Sequence, residues 1–267
     1  KYMFLTNNSS KSVDKYVQKL ASLGIATTPE DFLTSTNATV LYLQKKAYQK
    51  IYAFGTASFK EQLDIFKDKH TLYCTMTYIM TFGIFAGLSA AFPLLIKSLY
   101  VPLDSTLDPL KYAFYGPLIG SSSRILFGKV ADKFGGAILT HITGLALIVL
   151  FLILIFAGYL TPTSKDQFQV FLIIALSIFF FTGVGNAATF KQYPLIFAES
   201  PRMAAGVIGW TAAIAAFGPF VFNVLIAQSR TYTGDARLFF WFLIVGCVAS
   251  TFVNWYFYTR KGCERPS

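Results

Sequence analysis

Lys111 to Gly136, KYAFYGPLIGSSSRILFGKVADKFGG, decides the fold. Most of it is an apolar or small-residue stretch of about twenty residues, the length at which an α-helix crosses the hydrocarbon core of a bilayer. One arginine, Arg124, sits inside that stretch. A charge at membrane depth is costly and marks a functional site by default. Lys129 follows five residues later, so snorkelling of the long side chain to the interface is the alternative to weigh. Helical spacing argues against it: Gly116, Gly120 and Arg124 recur at i, i+4 and i+8, beside Pro117 and Ser121. A glycine face packs on other helices, so Arg124 is expected to point into a bundle. The helix then runs into a tight basic turn holding Gly128, Asp132, Lys133, Gly135 and Gly136. The glycines permit a short connection with unusual dihedrals. The carboxylate can cap or pair at a helix end, and the lysines mark the cytoplasmic side.

Five more apolar spans flank this one: Thr71–Leu99, Thr140–Leu160, Phe168–Phe190, Met203–Gln228 and Phe239–Tyr258. In the first, Gly83-x-x-x-Gly87 offers a close-packing face, and Tyr78 and Phe82 lie four apart on one side. Tyr78 falls well inside, where its hydroxyl needs a partner. The fourth ends in Gly183-Val184-Gly185-Asn186; a G-x-G within a helix follows no strand, so it allows close approach or a bend and is no nucleotide loop. In the fifth, Ala205, Gly209, Ala212 and Ala216 form a stripe of tiny side chains. Trp241, Trp255, Tyr256 and Tyr258 read as an aromatic belt. The architecture expected is an all-α integral membrane protein: a six-helix bundle over residues 71–267, preceded by a cytoplasmic helical linker over residues 1–70.

Composition agrees. Hydrophobic residues make up 54% of the 267 and charged ones only 13%, with a mean hydropathy of +0.52, which excludes an ordinary soluble domain. The net charge of +10 gathers in the front segment, the Lys129–Lys133 turn and the tail at Arg260, Lys261 and Arg265. That is a positive-inside pattern with both termini cytoplasmic, not a nucleic-acid surface. Cys74, Cys247 and Cys263 are scattered without C-x-x-C spacing, and His70 and His141 lie far apart. No disulfide framework, metal site or cofactor is expected. The first residue is lysine, and the chain reads as an excerpt of a longer protein.

The front segment is polar, with helical fragments. Val13, Tyr16, Val17, Leu20 and Leu23 keep helical spacing and Gly24 is a stop signal. Thr28-Pro29-Glu30-Asp31 reads as a helix start. Val40–Phe54 reads as a basic amphipathic helix that lies on the membrane or packs on its neighbours.

Gly128-x-x-x-Asp132-Lys133-x-Gly135-Gly136 between two spans resembles the loop motif of the major facilitator superfamily. Three pieces together resemble the C-terminal half of a NarK-type nitrate/nitrite porter of that superfamily. These are Asp68–Thr71 leading into Tyr78–Gly83; Gly116-Pro117-x-x-Gly120-x-x-x-Arg124 with the loop motif; and Gly206–Gly218, similar to the family's second nitrate signature. Gly183-x-Gly185-Asn186-x-x-Thr189-Phe190 and the ending Tyr258–Pro266 fit as well. The resemblance implies nitrate and nitrite as substrates in a bacterial inner membrane, no enzymatic activity, and an N-terminal six-helix half as partner. It implies Arg124 as the residue contacting the anion, Tyr78 as a hydrogen-bond donor to it and Phe82 as a wall. Gly206, Gly209, Gly218, Gly116 and Gly120 carry over as signature and helix-packing positions. Alanines at 212, 213, 215 and 216 weaken any direct substrate contact by the signature.

Chemistry fits that reading. A guanidinium offers forked donors to a planar oxoanion, which a lysine ammonium does not. None of the six spans carries an internal Asp or Glu, which favours nitrate/nitrite exchange over proton-coupled uptake. Another small anion remains the rival substrate. A serine–histidine hydrolase built from Ser121, Ser122, Ser123 and His141 is the rival class, although His141 sits near the membrane surface.

Overall fold

A computed structural model describes residues 4–6, 13–28, 31–34 and 64–267. The chain divides into two compact units, Lys1–Ala57 and Ser58–Ser267.

In the front unit, strand β1 (Phe4–Thr6) is followed by helix α1 (Val13–Ser22) and strand β2 (Phe32–Thr34). The strands pair in parallel, Phe4 opposite Phe32 and Thr6 opposite Thr34. A parallel pair needs a crossover connection, and α1 supplies it. α1 stops where the glycine signal lies. Gly24 adopts φ +79°, and the Ile25 N–H donates back to the Leu20 carbonyl at 2.9 Å, a left-handed helix stop that glycine takes without strain. Of the Thr28–Asp31 capping pattern, residues 29 and 30 lie outside the described residues, and Asp31 is in a 3-10 turn. The Thr28 N–H and hydroxyl both donate to the Asp31 carboxylate, at 2.9 and 3.0 Å. The front segment, expected as a linker with helical fragments, also carries this pair of short strands. Val40–Phe54 lies outside the described residues.

The second unit begins earlier than residue 71, because Asp64–Lys67 forms a 3-10 turn whose Ile65 is buried and whose Phe66 meets Trp210 edge-on at 4.6 Å. Helix α2 (Lys69–Tyr78) starts on Asp68, whose carboxylate accepts from the His70 N–H at 2.9 Å. It passes into a π turn, Ile79–Gly83, and continues as α3 (Ile84–Leu99). A short α4 (Pro109–Tyr112) is capped by Asp108. Then come α5 (Tyr115–Phe134), α6 (Gly136–Phe156), α7 (Gln167–Ile196), α8 (Pro201–Ala215), α9 (Gly218–Thr233) and α10 (Arg237–Asn254), the last ending in a second π turn, Trp255–Thr259. The break between α8 and α9 falls where Pro219 enters the first turn of α9. A proline lacks the N–H and crowds the carbonyl four residues back, so a helix ends before it.

Five stretches are long and apolar enough to cross a membrane: Lys69–Leu99, Gly136–Phe156, Gln167–Ile196, Met203–Thr233 and Arg237–Thr259. Helix α5, at 20 residues, is long enough to span, but Arg124, Lys129, Asp132 and Lys133 make it too charged to count by composition. The chain is a multi-pass helical membrane protein.

The core is aromatic. Phe92 stacks on Phe171 and meets Phe179 edge-on, and Tyr100 donates its hydroxyl to the Tyr159 carbonyl at 2.9 Å. A polar chain ties α6, α7 and α10: Thr140 donates to Gln192, Gln192 to Asn254, and Asn254 to the Ala137 carbonyl, at 3.0, 2.9 and 2.8 Å. With partners for each link, this network rigidifies the interior.

The tail folds back on the start of α2. Glu264 bridges Lys69 at 2.7 Å and the His70 Nε2 at 3.1 Å, and Arg265 bridges Asp68 at 2.8 Å. Because a carboxylate only accepts, the His70 Nε2 carries the proton, and Nδ1 accepts from the Tyr258 hydroxyl at 2.8 Å. Tyr258 is therefore a buried anchor rather than part of an aromatic belt, while Trp241, Trp255 and Tyr256 stay exposed. The Lys69 ammonium first, then His70, holds the Glu264 carboxyl below the usual glutamate range.

Candidate functional site

Helices α5 and α7 set the site. Gly183 on α7 lies so close to α5 that a Cβ there would collide with the Gly120 carbonyl and with Ser123 Oγ. Ser123 Oγ donates to the carbonyls of Gly120 and Phe180, both at 3.0 Å, stitching the two backbones together. Gly116 faces the Phe179 ring with no room for a methyl group. Gly116 and Gly120 are both buried in this contact.

Arg124 is not buried with them. Eight residues on a 3.6-residue helix advance the angle by about 80° beyond two full turns, so Arg124 sits at the edge of the packed face and is exposed. Its guanidinium lies over the Phe190 ring of α7, 4.8 Å from the centroid. Among the described residues it pairs with no carboxylate. Phe190 in turn meets Tyr78 edge-on at 5.9 Å, and Tyr78 meets Phe82 at 5.5 Å. The three residues singled out from the sequence thus line one continuous patch, joined by Phe190. The phenylalanine was visible in the sequence as part of a motif, but nothing there revealed that it links arginine to tyrosine.

The first span contributes through its π turn. Tyr78 is the last residue before it and Phe82 lies within it. A π turn wedges one extra residue into a helix and is frequent at functional sites. Gly218 closes the other side: a Cβ there would come within 2.7 Å of the Gly83 carbonyl. Gly206 faces Ile65, with a Cβ contact at 3.1 Å, and Gly209 faces open space. The second signature thus packs on the π turn at its end and, with Ala205 just before it, presents Gly209 and Ala216 outward.

Asn186, one helical turn before Phe190, is 2% exposed. Neither of its amide atoms has a hydrogen-bond partner of ordinary geometry among the described residues, and Phe190, one turn further along, meets Tyr78 edge-on. Composition gives no signal for this; a lone asparagine in an apolar helix is legible only once its neighbours are known.

In the basic turn, Gly135 joins α5 directly to α6 at φ +91°, a conformation that a side chain would strain. Asp132 bridges Lys191 of α7 at 2.7 Å, Lys133 lies over Phe134, and Gly128 faces open space. The serine–histidine alternative finds no geometry: Ser123 is committed to two backbone carbonyls, and no hydrogen bond joins Ser121, Ser122 or Ser123 to His141 among the described residues. No group of three or more His, Cys, Asp or Glu side chains that could hold a metal occurs among the described residues.

Fold and site together define a multi-pass helical membrane protein with a cationic, aromatic-walled patch. Known proteins narrow the class. Over 210 residues, 79% of this chain and 46% of the relative, it is 51% identical to the probable nitrate/nitrite antiporter NarK2 of Thermus thermophilus. It is 28% identical to the nitrate/nitrite transporter NarU of Escherichia coli K12, over 92% of this chain and 58% of the relative. Against NarU of Salmonella typhimurium the identity is again 28%, over 90% and 57%. The chain is homologous to NarK-type nitrate/nitrite transporters, a class of carriers and not of enzymes, and spans about half the length of the curated relatives it matches. Residues 1–66 match a different family, the haloacid dehalogenase-like hydrolases; that match covers the unit with the parallel strand pair.

Proposed function

We propose that residues 58–267 form the C-terminal half of a major facilitator carrier that exchanges nitrate for nitrite across a bacterial inner membrane, with six spans including α5. The observation that carries this reading is the Arg124 guanidinium, seated on Phe190 beside Tyr78 and Phe82 with no acid paired to it among the described residues. A planar cation without a carboxylate is free to take a planar oxoanion through two parallel N–H bonds. The Tyr78 hydroxyl orients the anion, and Phe82 and Phe190 exclude water, so the attraction acts at low dielectric.

The open stripe at Ala205, Gly209 and Ala216 supports a second helical half lying against this one, since small residues let helix backbones approach closely. The site is then enclosed between the halves, and alternating access is rocking of one against the other. An opposing cation from that half would repel Arg124 in an empty site, so closure needs an anion, and exchange follows. The basic turn at Lys129–Lys133 and the basic tail support a cytoplasmic position for both ends of this half.

The test is transport by proteoliposomes containing the carrier. Nitrite efflux that depends on external nitrate, with no requirement for a pH gradient, is expected. Uptake driven by a pH gradient without counter-anion would overturn exchange, and indifference to nitrate and nitrite would overturn the substrate.

A further inference from the structure

Resting on the anion site just described, we propose that Asn186 is a positioning residue: its carboxamide donates an N–H to the Tyr78 oxygen, which leaves the tyrosine proton for the anion. Three observations lead there. Asn186 is 2% exposed in a helix interior. Both of its amide atoms are buried without a hydrogen-bond partner at ordinary geometry among the described residues, a costly condition that needs a reason. Phe190, one turn on from Asn186, meets the Tyr78 ring edge-on at 5.9 Å, and Gly185 beside it is packed on Thr81, one turn past Tyr78, so the amide lies against the part of the first span that carries the site.

Hydrogen-bond inventory sets the direction. A phenol has one proton to give and lone pairs to receive. If its oxygen accepted nothing, the proton could turn to any nearby carbonyl. With an amide N–H on the oxygen, the phenol is oriented, and the chain amide-to-phenol-to-anion polarises each link. Asparagine suits this because it is neutral. A lysine or second arginine at 186 would hold the anion too tightly to release, and an aspartate would repel it. Close packing fixes the amide: a Cβ on the neighbouring Gly185 would collide with Thr81 and Thr143, so this stretch of α7 is pressed against the first span and α6.

The test is a double-mutant comparison in the reconstituted carrier, reading nitrate KM and kcat. Asn186→Ala is expected to raise KM about five-fold, the size of one lost neutral hydrogen bond, with little change in kcat. In a Tyr78→Phe background the same change should add nothing. An equal effect of Asn186→Ala in both backgrounds would show that Asn186 acts by packing alone, and an unchanged KM would show that it does nothing; either overturns the proposal. Should Asn186→Ala fail to reach the membrane, Asn186→Thr and Asn186→Val form an isosteric pair. Threonine keeps a donor, so equal KM values in that pair count against the proposal. If Tyr78→Phe and Arg124→Lys both leave nitrate KM untouched, it is the anion site itself that falls.

Discussion

The guanidinium of Arg124 rests 4.8 Å from the centre of the Phe190 ring, so an aromatic face, not a carboxylate, holds the one cation at this depth of α5. A cation on a ring keeps its N–H edges free, whereas a salt bridge would occupy them. Arg124→Lys keeps the charge and loses the fork. Nitrate kcat/KM should fall on the order of tenfold or more, as expected when a bidentate charged contact becomes a point charge. Wild-type transport by that variant would make Arg124 structural.

Phe190→Leu removes the ring under Arg124 while preserving apolar volume. Cation–π contacts of this kind are worth about 0.5–2 kcal/mol, so nitrate KM should rise between about two- and thirty-fold. Measured anion affinity that does not move would mean the ring is only filler.

Glycine positions on facing helices give a paired prediction. Gly183→Ala pushes a methyl group into the Gly120 carbonyl and Ser123 Oγ, which are held in place, and overpacking costs about 1–3 kcal/mol. Gly209→Ala meets nothing within 4 Å, so this chain should be unharmed by it. Thermal unfolding in detergent checks both. Equal stability of the two variants would contradict the packing described here. Loss of transport by Gly209→Ala with intact stability would locate a facing helix at that stripe.

The Glu264 carboxyl titrates below the usual glutamate value of 4.5, chiefly because of Lys69 and next because of His70. A depressed acid contributes its stabilisation in full above 4.5 and loses it as pH falls through the lower folded value. Amide exchange in residues 255–267 should therefore accelerate below about pH 4.5. Glu264→Gln should exchange fast already at neutral pH, with no further acid step; an acid step surviving in that variant would assign the effect to another group.

Local signals were enough for several elements and failed at others for definable reasons. Gly24 stops α1 because it acts through its own backbone, whereas the fifth span, expected as one continuous helix, is split where Pro219 enters α9. Gly116, Gly120 and Arg124 shared a face on paper, but a spacing of eight drifts off the packed stripe, and Arg124 left it. Tyr78 and Phe82 were found at a four-residue spacing; the π turn between them has no compositional mark. Tyr258 looked like an interfacial aromatic because its partner, His70, is 188 residues away. Asn186 and Phe190 gain meaning from neighbours on other helices.

The Gly120–Gly183 contact has one more consequence. Backbone touches backbone there, with no side chain between to bend or rotate, so α5 and α7 behave as a single strut. Arg124 and Phe190, four and seven residues further along, inherit a fixed spacing from it. The π turn of the first span, which carries Tyr78 at its start and Phe82 within it, faces that strut across the site.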